Sequence, residues 1–457
     1  MHLIVICIDS LRQDHVSYYA GERSPVQTPH IDALAREAVA FDNMYPEALP
    51  TIPIRTQLMT GQRTLGRRGW QPLEPSDRTL AQVLDQAGYV SALITDVYHY
   101  MKPGYNFHQG FHAWRWIRGQ EYDAYRSQPL SRYDPDDYCK DTFPPNWRDL
   151  VRRCLQNLEP FRTADDHFCA QVMREAGEWL AENRDHERLF LWVDSFDPHE
   201  PWTPPAEFDR YTDPGYRGKR IILPPGGPAD AVMTPEEIAQ TRGLYAGEVA
   251  YVDHYVGRLL QRLRDLDLLD RSLVLLLADH GHPLADHGKF LKGTDRLYNE
   301  LLKVPCLLRF PGGAHGGRRL TALAQFHDVM PTLLDALGVA HDPDAFNGRS
   351  LLPLIRGEVE RVRDAIVTGY HRGRDRCVRT ETWSLILRNG DGDDDTGDEL
   401  YHLLDDPGER RNLIAEHPDV ARDLAARFGS FYSAEGTLAG RGVQGRDEVA
   451  GTALRDR

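Results

Sequence analysis

Leu273-Val274-Leu275-Leu276-Leu277-Ala278-Asp279-His280-Gly281 runs without a polar side chain as far as Ala278, then turns to a carboxylate and an imidazole. A short apolar run of this kind reads as a strand buried on both faces. The start of the chain is built the same way: Leu3 to Ile8 is apolar and Asp9 closes the run. Residues 90–94, 189–193 and 304–308 repeat the pattern, and helical segments lie between. Thr28-Pro29 sets a capping residue and a first-turn proline before Ile31, Leu34, Ala35 and Ala38 at helical spacing. Residues 79–87 form another helix, stopped by Gly88, and a longer one is expected over 234–263. Alternation of strand and helix predicts an α/β layer fold with a largely parallel sheet.

In such sheets ligands bind beyond the carboxyl ends of the strands. Asp9 and the pair Asp279-His280 stand at two such ends. Oxygen ligands with one imidazole suit a divalent cation such as Mn²⁺, Zn²⁺ or Ca²⁺. A carboxylate in that place serves equally well to cap a helix, so spacing alone leaves both readings open. The segment Leu49-Pro50-Thr51-Ile52-Pro53-Ile54-Arg55 looks like a helix start, with an arginine one turn after Thr51. A hydroxyl there is either a simple N-cap or a group placed where anions gather.

The character changes near Gly357. Residues 365–367, 383–387 and 399–403 look like short strands around an acidic Gly/Asp turn at 389–398. A helix over 418–428 follows, then a Gly/Arg-rich tail expected to be mobile. Two units are therefore expected, a larger α/β domain over 1–360 and a smaller α+β subdomain over 361–457. The stretch 109–161, rich in Trp, Tyr, Arg and Asp, reads as irregular cleft wall; Trp114, Trp116 and Tyr122 lie in it. Of the 457 residues, 54 are Lys or Arg and 69 Asp or Glu, a net charge of −15. A chain built on phosphate-backbone or anionic-membrane contacts should be basic, so neither nucleic acid nor a membrane is the expected partner. The 6 cysteines are scattered and read as reduced thiols. Without an evident leader or a long apolar span, the expected location is cytoplasmic. Oligomeric state is not legible.

Taken in order, these segments resemble the sulfatase family of the alkaline phosphatase superfamily over nearly the whole chain. Asp9 with Leu11-Arg12-x-Asp14-His15 looks like the family's first metal strand, and Thr28-Pro29-His30-Ile31-Asp32 like the helix after it. Thr51-x-Pro53-x-Arg55 with Leu58-Met59-Thr60-Gly61 is similar to the nucleophile motif. Asp197-Pro198-His199-Glu200-Pro201-Trp202 resembles a substrate-binding segment. Asp279-His280-Gly281, Asp286-His287-Gly288 and Lys292-Gly293 resemble the second metal segment and its anion-binding lysine. His99 falls where the family has a histidine beside the nucleophile. The resemblance implies an alkaline-phosphatase-like sandwich with a large central sheet flanked by helices. It implies one divalent metal at Asp9, Thr51, Asp279 and His280, and a small anionic ester as substrate. Arg55, His199 and Lys292 would hold that substrate, with Ser10, His282 and His287 as supporting residues.

The sequence departs from the family where chemistry is decided. The usual Cys or Ser, oxidised to formylglycine, is Thr51, so no formylglycine is expected. Ser10 stands where a second carboxylate often follows the first, His282 where an acidic residue is frequent, and Val97 where a lysine is usual. Threonine nucleophiles in the superfamily are typical of phosphodiesterases and of phosphoethanolamine and phosphoglycerol transferases. The expectation is phosphoryl chemistry: Thr51 attacks, Arg55 and Lys292 with His199 neutralise the non-bridging oxygens, and His99 or His199 protonates the leaving group. The alternatives are a sulfate-ester hydrolase working without formylglycine, a phosphoryl-group transferase, and a non-catalytic binder of anions. A further alternative is a two-metal phosphodiesterase, with Asp194 and His371 joining Asp197, His199 or His282 around a second ion. Asp286, His287 and Lys289 read as supporting residues or as plain loop.

Overall fold

The computed structural model describes residues 1–389 and 397–433, with side chains to residue 428 in the last helix. The acidic turn thus lies largely outside the described residues, and the tail beyond 433 entirely so. Among the described residues an 8-stranded sheet runs in the order Arg319–Leu320, Val39–Phe41, Cys306–Arg309, Ser272–Ala278, His2–Ile8, Leu189–Ser195, Val90–Thr95 and Ala113–Trp116. The last five are mutually parallel. Cys306–Arg309 is antiparallel to both its neighbours. The expected mostly parallel α/β sheet is thus present. Its central strands are largely apolar because they are buried: every residue of His2–Ile8, Leu189–Ser195 and Ser272–Ala278 is.

Register decides what the sheet presents. Ile8 lies opposite Ala278 on one side and Ser195 on the other. Asp9 and Asp279 therefore leave the same edge as neighbours, and the Asp9 N–H donates to the Ser195 carbonyl at 2.8 Å. The helix Pro235–Asp265 opens with a capping box between Thr234 and Glu237. Leu80–Gln86 has the same device in Thr79 and Gln82. Thr28 differs from expectation: it makes no side-chain cap to Pro29–Arg36, and its hydroxyl donates to Asp32 at 2.9 Å instead. The cap comes from the long helix, where Asp253 accepts from the N–H groups of Ile31 at 2.8 Å and His30 at 3.2 Å.

A 5-stranded sheet follows, in the order Glu399–His402, Trp383–Leu387, Arg376–Arg379, Ile366–Tyr370 and Ala48–Leu49. Its first four strands are antiparallel neighbours; Ala48–Leu49 joins in parallel from the far end of the chain. Ala48, Leu65, Val367, Val378, Leu385, Leu400 and Leu424 pack beneath it as a separate core, covered by the helix Pro418–Ser433. The stretch 109–161 is more regular than expected, because it holds the edge strand Ala113–Trp116 and the amphipathic helix Trp147–Leu158. All six cysteines are buried and none is bonded to another. No helix among the described residues is long and apolar enough to cross a membrane.

Candidate active site

Asp9, Asp279 and His280 meet at the carboxyl edge, each fully buried. Their ligand-type atoms lie within 4.8 Å of one another. The backbone is bent to bring them there. Ser10 sits at φ 60°, a left-handed conformation that side chains disfavour. Its N–H donates to Asp279 Oδ1 at 2.9 Å and its hydroxyl to Asp9 Oδ1 at 2.8 Å. Tyr245 pins the bend by donating to the Ser10 carbonyl at 2.7 Å. Gly281 is required next to His280, since a Cβ there would stand 2.1 Å from the Glu300 carbonyl oxygen. His280 Nδ1 bonds the Gly281 carbonyl at 2.7 Å, so Nδ1 carries the proton and Nε2 offers its lone pair.

Thr51 opens the helix Thr51–Thr60, buried along its whole length. Arg55 follows at the i+4 position, on the same helix face. Its guanidinium is fully buried among three carboxylates. Nη2 bonds Asp194 at 2.7 Å, Nη1 lies 3.0 Å from Asp9 Oδ2, and Nη1 also bonds Asp279. Tyr100 donates to Asp194 at 2.6 Å. Three carboxylates against one guanidinium leave the site short of positive charge. Burial, then the Asp279 charge, pushes the Asp9 carboxyl up to about 6; burial lowers His280 to about 3. Asp9 Oδ2 meets only the Arg55 charge and makes no hydrogen bond, and His280 Nε2 is buried with no hydrogen-bond partner. A divalent cation would satisfy both atoms and the missing charge, so the residues present fit one.

The opposite wall is cationic. Lys292, largely buried, points its Nζ at His199 Nε2 at 2.7 Å and lies 3.3 Å from Glu200. His199 Nδ1 bonds the Glu200 carbonyl at 2.7 Å, which fixes the tautomer that accepts from the lysine. Burial, then the Lys292 charge, holds His199 well below the ordinary imidazole range. His282 lies 3.5 Å from Glu200 with both ring nitrogens unpartnered. His99 packs between Tyr98 and Trp70, ring centroids 4.0 and 4.9 Å away.

Several expected residues stand elsewhere. His287 spends both nitrogens on Glu300 at 2.6 Å and the Glu409 carbonyl at 2.9 Å; it ties the loop to the C-terminal segment rather than supporting the Asp9 group. Asp286 and Asp14 are ion partners of Arg12, and Lys289 pairs with Asp295. Asp194 is the ion partner of Arg55 and His371 Nδ1 bonds the Leu49 carbonyl at 3.0 Å; among the described residues neither falls in a metal-type group with Asp197, His199 or His282, as the two-ion alternative requires. A different trio, Glu121, His199 and Glu200, has ligand-type atoms within 4.8 Å of one another. There the Lys292 ammonium already supplies the positive charge. Trp114 is exposed on the edge strand, whereas Tyr122 reaches inward to bond Glu121. Glu121 has no signal in the sequence, being a single carboxylate in an aromatic loop.

A parallel sheet with this strand-edge chemistry, faced by a helix-borne arginine and a lysine–histidine pair, defines a hydrolase of the alkaline phosphatase superfamily. Within it the chain belongs to the sulfatase family, whose model matches residues 1–339. The model for the C-terminal part of N-sulphoglucosamine sulphohydrolase matches residues 285–430. An arylsulfatase of Clostridium perfringens is 25% identical over 456 residues, covering 90% of each chain. The multifunctional alkaline phosphatase superfamily protein PehA of Trinickia caryophylli is 25% identical over 403 residues, covering 78% of this chain and 77% of its own. The crystal structure of a phosphonate monoester hydrolase of Agrobacterium radiobacter superposes with a TM-score of 0.73 at 23% identity, over 95% of both chains.

Proposed function

We propose that the protein is a metal-dependent hydrolase of a small anionic phosphate ester, a phosphodiester or phosphonate monoester, with Thr51 as nucleophile. The observation that carries this reading is Thr51 itself, one helical turn before the buried Arg55. Formylglycine hydrate expels sulfate by collapsing to an aldehyde, which requires a second hydroxyl on the same carbon. Threonine has none, so a threonine sulfate would be a dead end. A phosphothreonine can instead be displaced in line by water at phosphorus.

A divalent cation held by Asp9, Asp279 and His280, and by Thr51 itself, would act as Lewis acid and favour the ionised hydroxyl. Arg55 is held rigidly by Asp194 and Asp279, so with a cation neutralising the carboxylates its charge would act on the reacting group without reorganisation. Lys292 binds a non-bridging oxygen, and His199 orients that ammonium through its 2.7 Å contact. His99 protonates the leaving oxygen. Of the two histidines only His99 keeps a nitrogen, Nδ1, unengaged; both nitrogens of His199 are committed.

A second reading, sulfate-ester hydrolysis, is favoured by the arylsulfatase likeness across nine-tenths of the chain. The test is a panel of p-nitrophenyl phosphate, bis(p-nitrophenyl) phosphate, p-nitrophenyl phenylphosphonate and p-nitrophenyl sulfate, on protein of measured metal content. The phosphodiester and phosphonate should turn over fastest; chelation should abolish turnover, and Mn²⁺, Zn²⁺ or Ca²⁺ should restore it. A preference for the sulfate ester supports the second reading. Acceleration by added alcohols indicates a transferase, and anion binding without turnover a non-catalytic member.

A further inference from the structure

Glu121 stands where no ordinary surface carboxylate would. Its φ of 54° is left-handed, a conformation disfavoured for any residue with a Cβ, and its side chain is only 6% exposed. Tyr98 and Tyr122 hydrogen-bond its carboxyl. Its Oε2 is buried without a hydrogen-bond partner, 3.6 Å from His99 Nε2. That distance is one small rotation longer than a hydrogen bond, and such contacts often tighten when substrate binds. On the other side, ligand-type atoms of Glu121, Glu200 and His199 lie within 4.8 Å of one another. Two buried carboxyls so close do not both ionise. Lys292 lies 3.3 Å from Glu200, so Glu200 takes the charge and Glu121 keeps the proton.

We infer that Glu121 is a positioning residue and proton reservoir for His99, the relay that serves the leaving group. The inference rests on the ester-cleaving roles proposed for Thr51 and His99. The titratable groups facing Glu121 are Tyr98, His99, Tyr122, Cys154, His199, Glu200 and Lys292. Burial, then the Glu200 charge, pushes its carboxyl up to about 8. Burial, then the charges of Lys102, Arg55 and Lys292, holds the His99 imidazole well below its usual range. At neutral pH the imidazole is therefore neutral and the carboxyl protonated. As ionised Thr51 Oγ1 bonds to phosphorus and the bond to the leaving oxygen breaks, the Nδ1 proton of His99 goes to that oxygen. The Glu121 proton passes to Nε2. When water cleaves the phosphothreonine, its proton goes to Nδ1, Nε2 returns its proton to Glu121, and Thr51 leaves ionised. The sum is ester and water to alcohol and acid, with both side chains restored.

The test is kcat/KM against pH, which ends at expulsion of the leaving group and leaves out the dephosphorylation common to both esters, for wild type and Glu121→Gln on p-nitrophenyl and ethyl phenylphosphonate. Glutamine keeps the size and the tyrosine contacts but holds no transferable proton. Ethyl-ester kcat/KM should fall on the order of 10²-fold, and its loss above about pH 8 should disappear. The kcat/KM of the p-nitrophenyl ester, whose leaving group needs no proton, should be little changed. Tyr122→Phe removes a hydrogen bond that favours the ionised carboxylate, so it should move the alkaline limb to higher pH; this decides the matter if Glu121→Gln does not fold. Equal losses on both esters, or an alkaline limb unmoved in either variant, would overturn the inference. Failure of the underlying mechanism looks different: turnover of both esters would survive Thr51→Ala.

Discussion

At Thr51 the chemistry turns on one hydroxyl, and three substitutions separate its possible roles. Thr51→Ala should abolish turnover while thermal unfolding and metal content stay close to wild type, because Asp9, Asp279 and His280 remain. Thr51→Ser should keep measurable activity, since only a methyl is lost from the attacking group. Thr51→Cys restores Cys-x-Pro-x-Arg with Pro53 and Arg55 already in place. Co-expressed with a formylglycine-generating enzyme, that variant should gain sulfate-ester hydrolysis over wild type. Undiminished wild-type-like turnover in Thr51→Ala would make water the nucleophile and end the covalent mechanism. Most residues of the site were legible because each sits in a run with a local reason to be there: Asp9 and Asp279 end apolar strands, and Arg55 follows a helix start by one turn. Glu121 was not legible. Its role comes from a left-handed loop residue and from partners at positions 98, 99 and 200, none of which spacing along the chain reveals.

At the scale of elements, the long apolar strands of the central sheet declared themselves, whereas short, edge or charged ones such as Val39–Phe41 did not. Arg376–Arg379 begins and ends in arginine, and Arg379 is buried against Glu409 at 2.8 Å; a strand that buries an ion pair has no apolar pattern to read. Ala113–Trp116 was hidden likewise, as an edge strand with one face in solvent. The link between helices was also invisible, because the cap of Pro29–Arg36 is Asp253, from the middle of Pro235–Asp265. Burial, opposed by those two N–H donors, pushes the Asp253 carboxyl up to about 7. The folded state therefore binds more protons here than the unfolded chain between about pH 4 and 7, and this contribution to stability is lost as pH rises through that window. Asp253→Asn removes the titration. Urea unfolding at several pH values should show the stability of wild type relative to Asp253→Asn declining from pH 5 to 7.5; a difference independent of pH would refute the assignment.

Across the whole molecule, the boundary expected near residue 360 is proposed as a division of sequence rather than of stability. Ala48–Leu49, just before Thr51, completes the C-terminal sheet by pairing with Gly369 and Tyr370. The Gly369 N–H donates to the Glu47 carbonyl at 3.1 Å and the His371 N–H to the Leu49 carbonyl at 2.9 Å. Arg379 reaches back to Asn299 and the Leu297 carbonyl, and Tyr298 donates to Glu399 at 2.8 Å. His287, on the loop that leads to Lys292, bonds the Glu409 carbonyl. Removing residues 361–457 would thus strand backbone groups beside the nucleophile and bare the apolar face of Ala48 and Leu65. A buried group left without its partner costs roughly 1–3 kcal/mol, and several such losses match the whole stability of a typical domain, about 5–15 kcal/mol. Residues 1–360 expressed alone should therefore show no cooperative thermal transition and no ester hydrolysis, while the full chain unfolds in one step by calorimetry. A fragment that melts cooperatively and binds a divalent cation would make the catalytic part an independent domain, with the C-terminal sheet an addition to it rather than part of its wall.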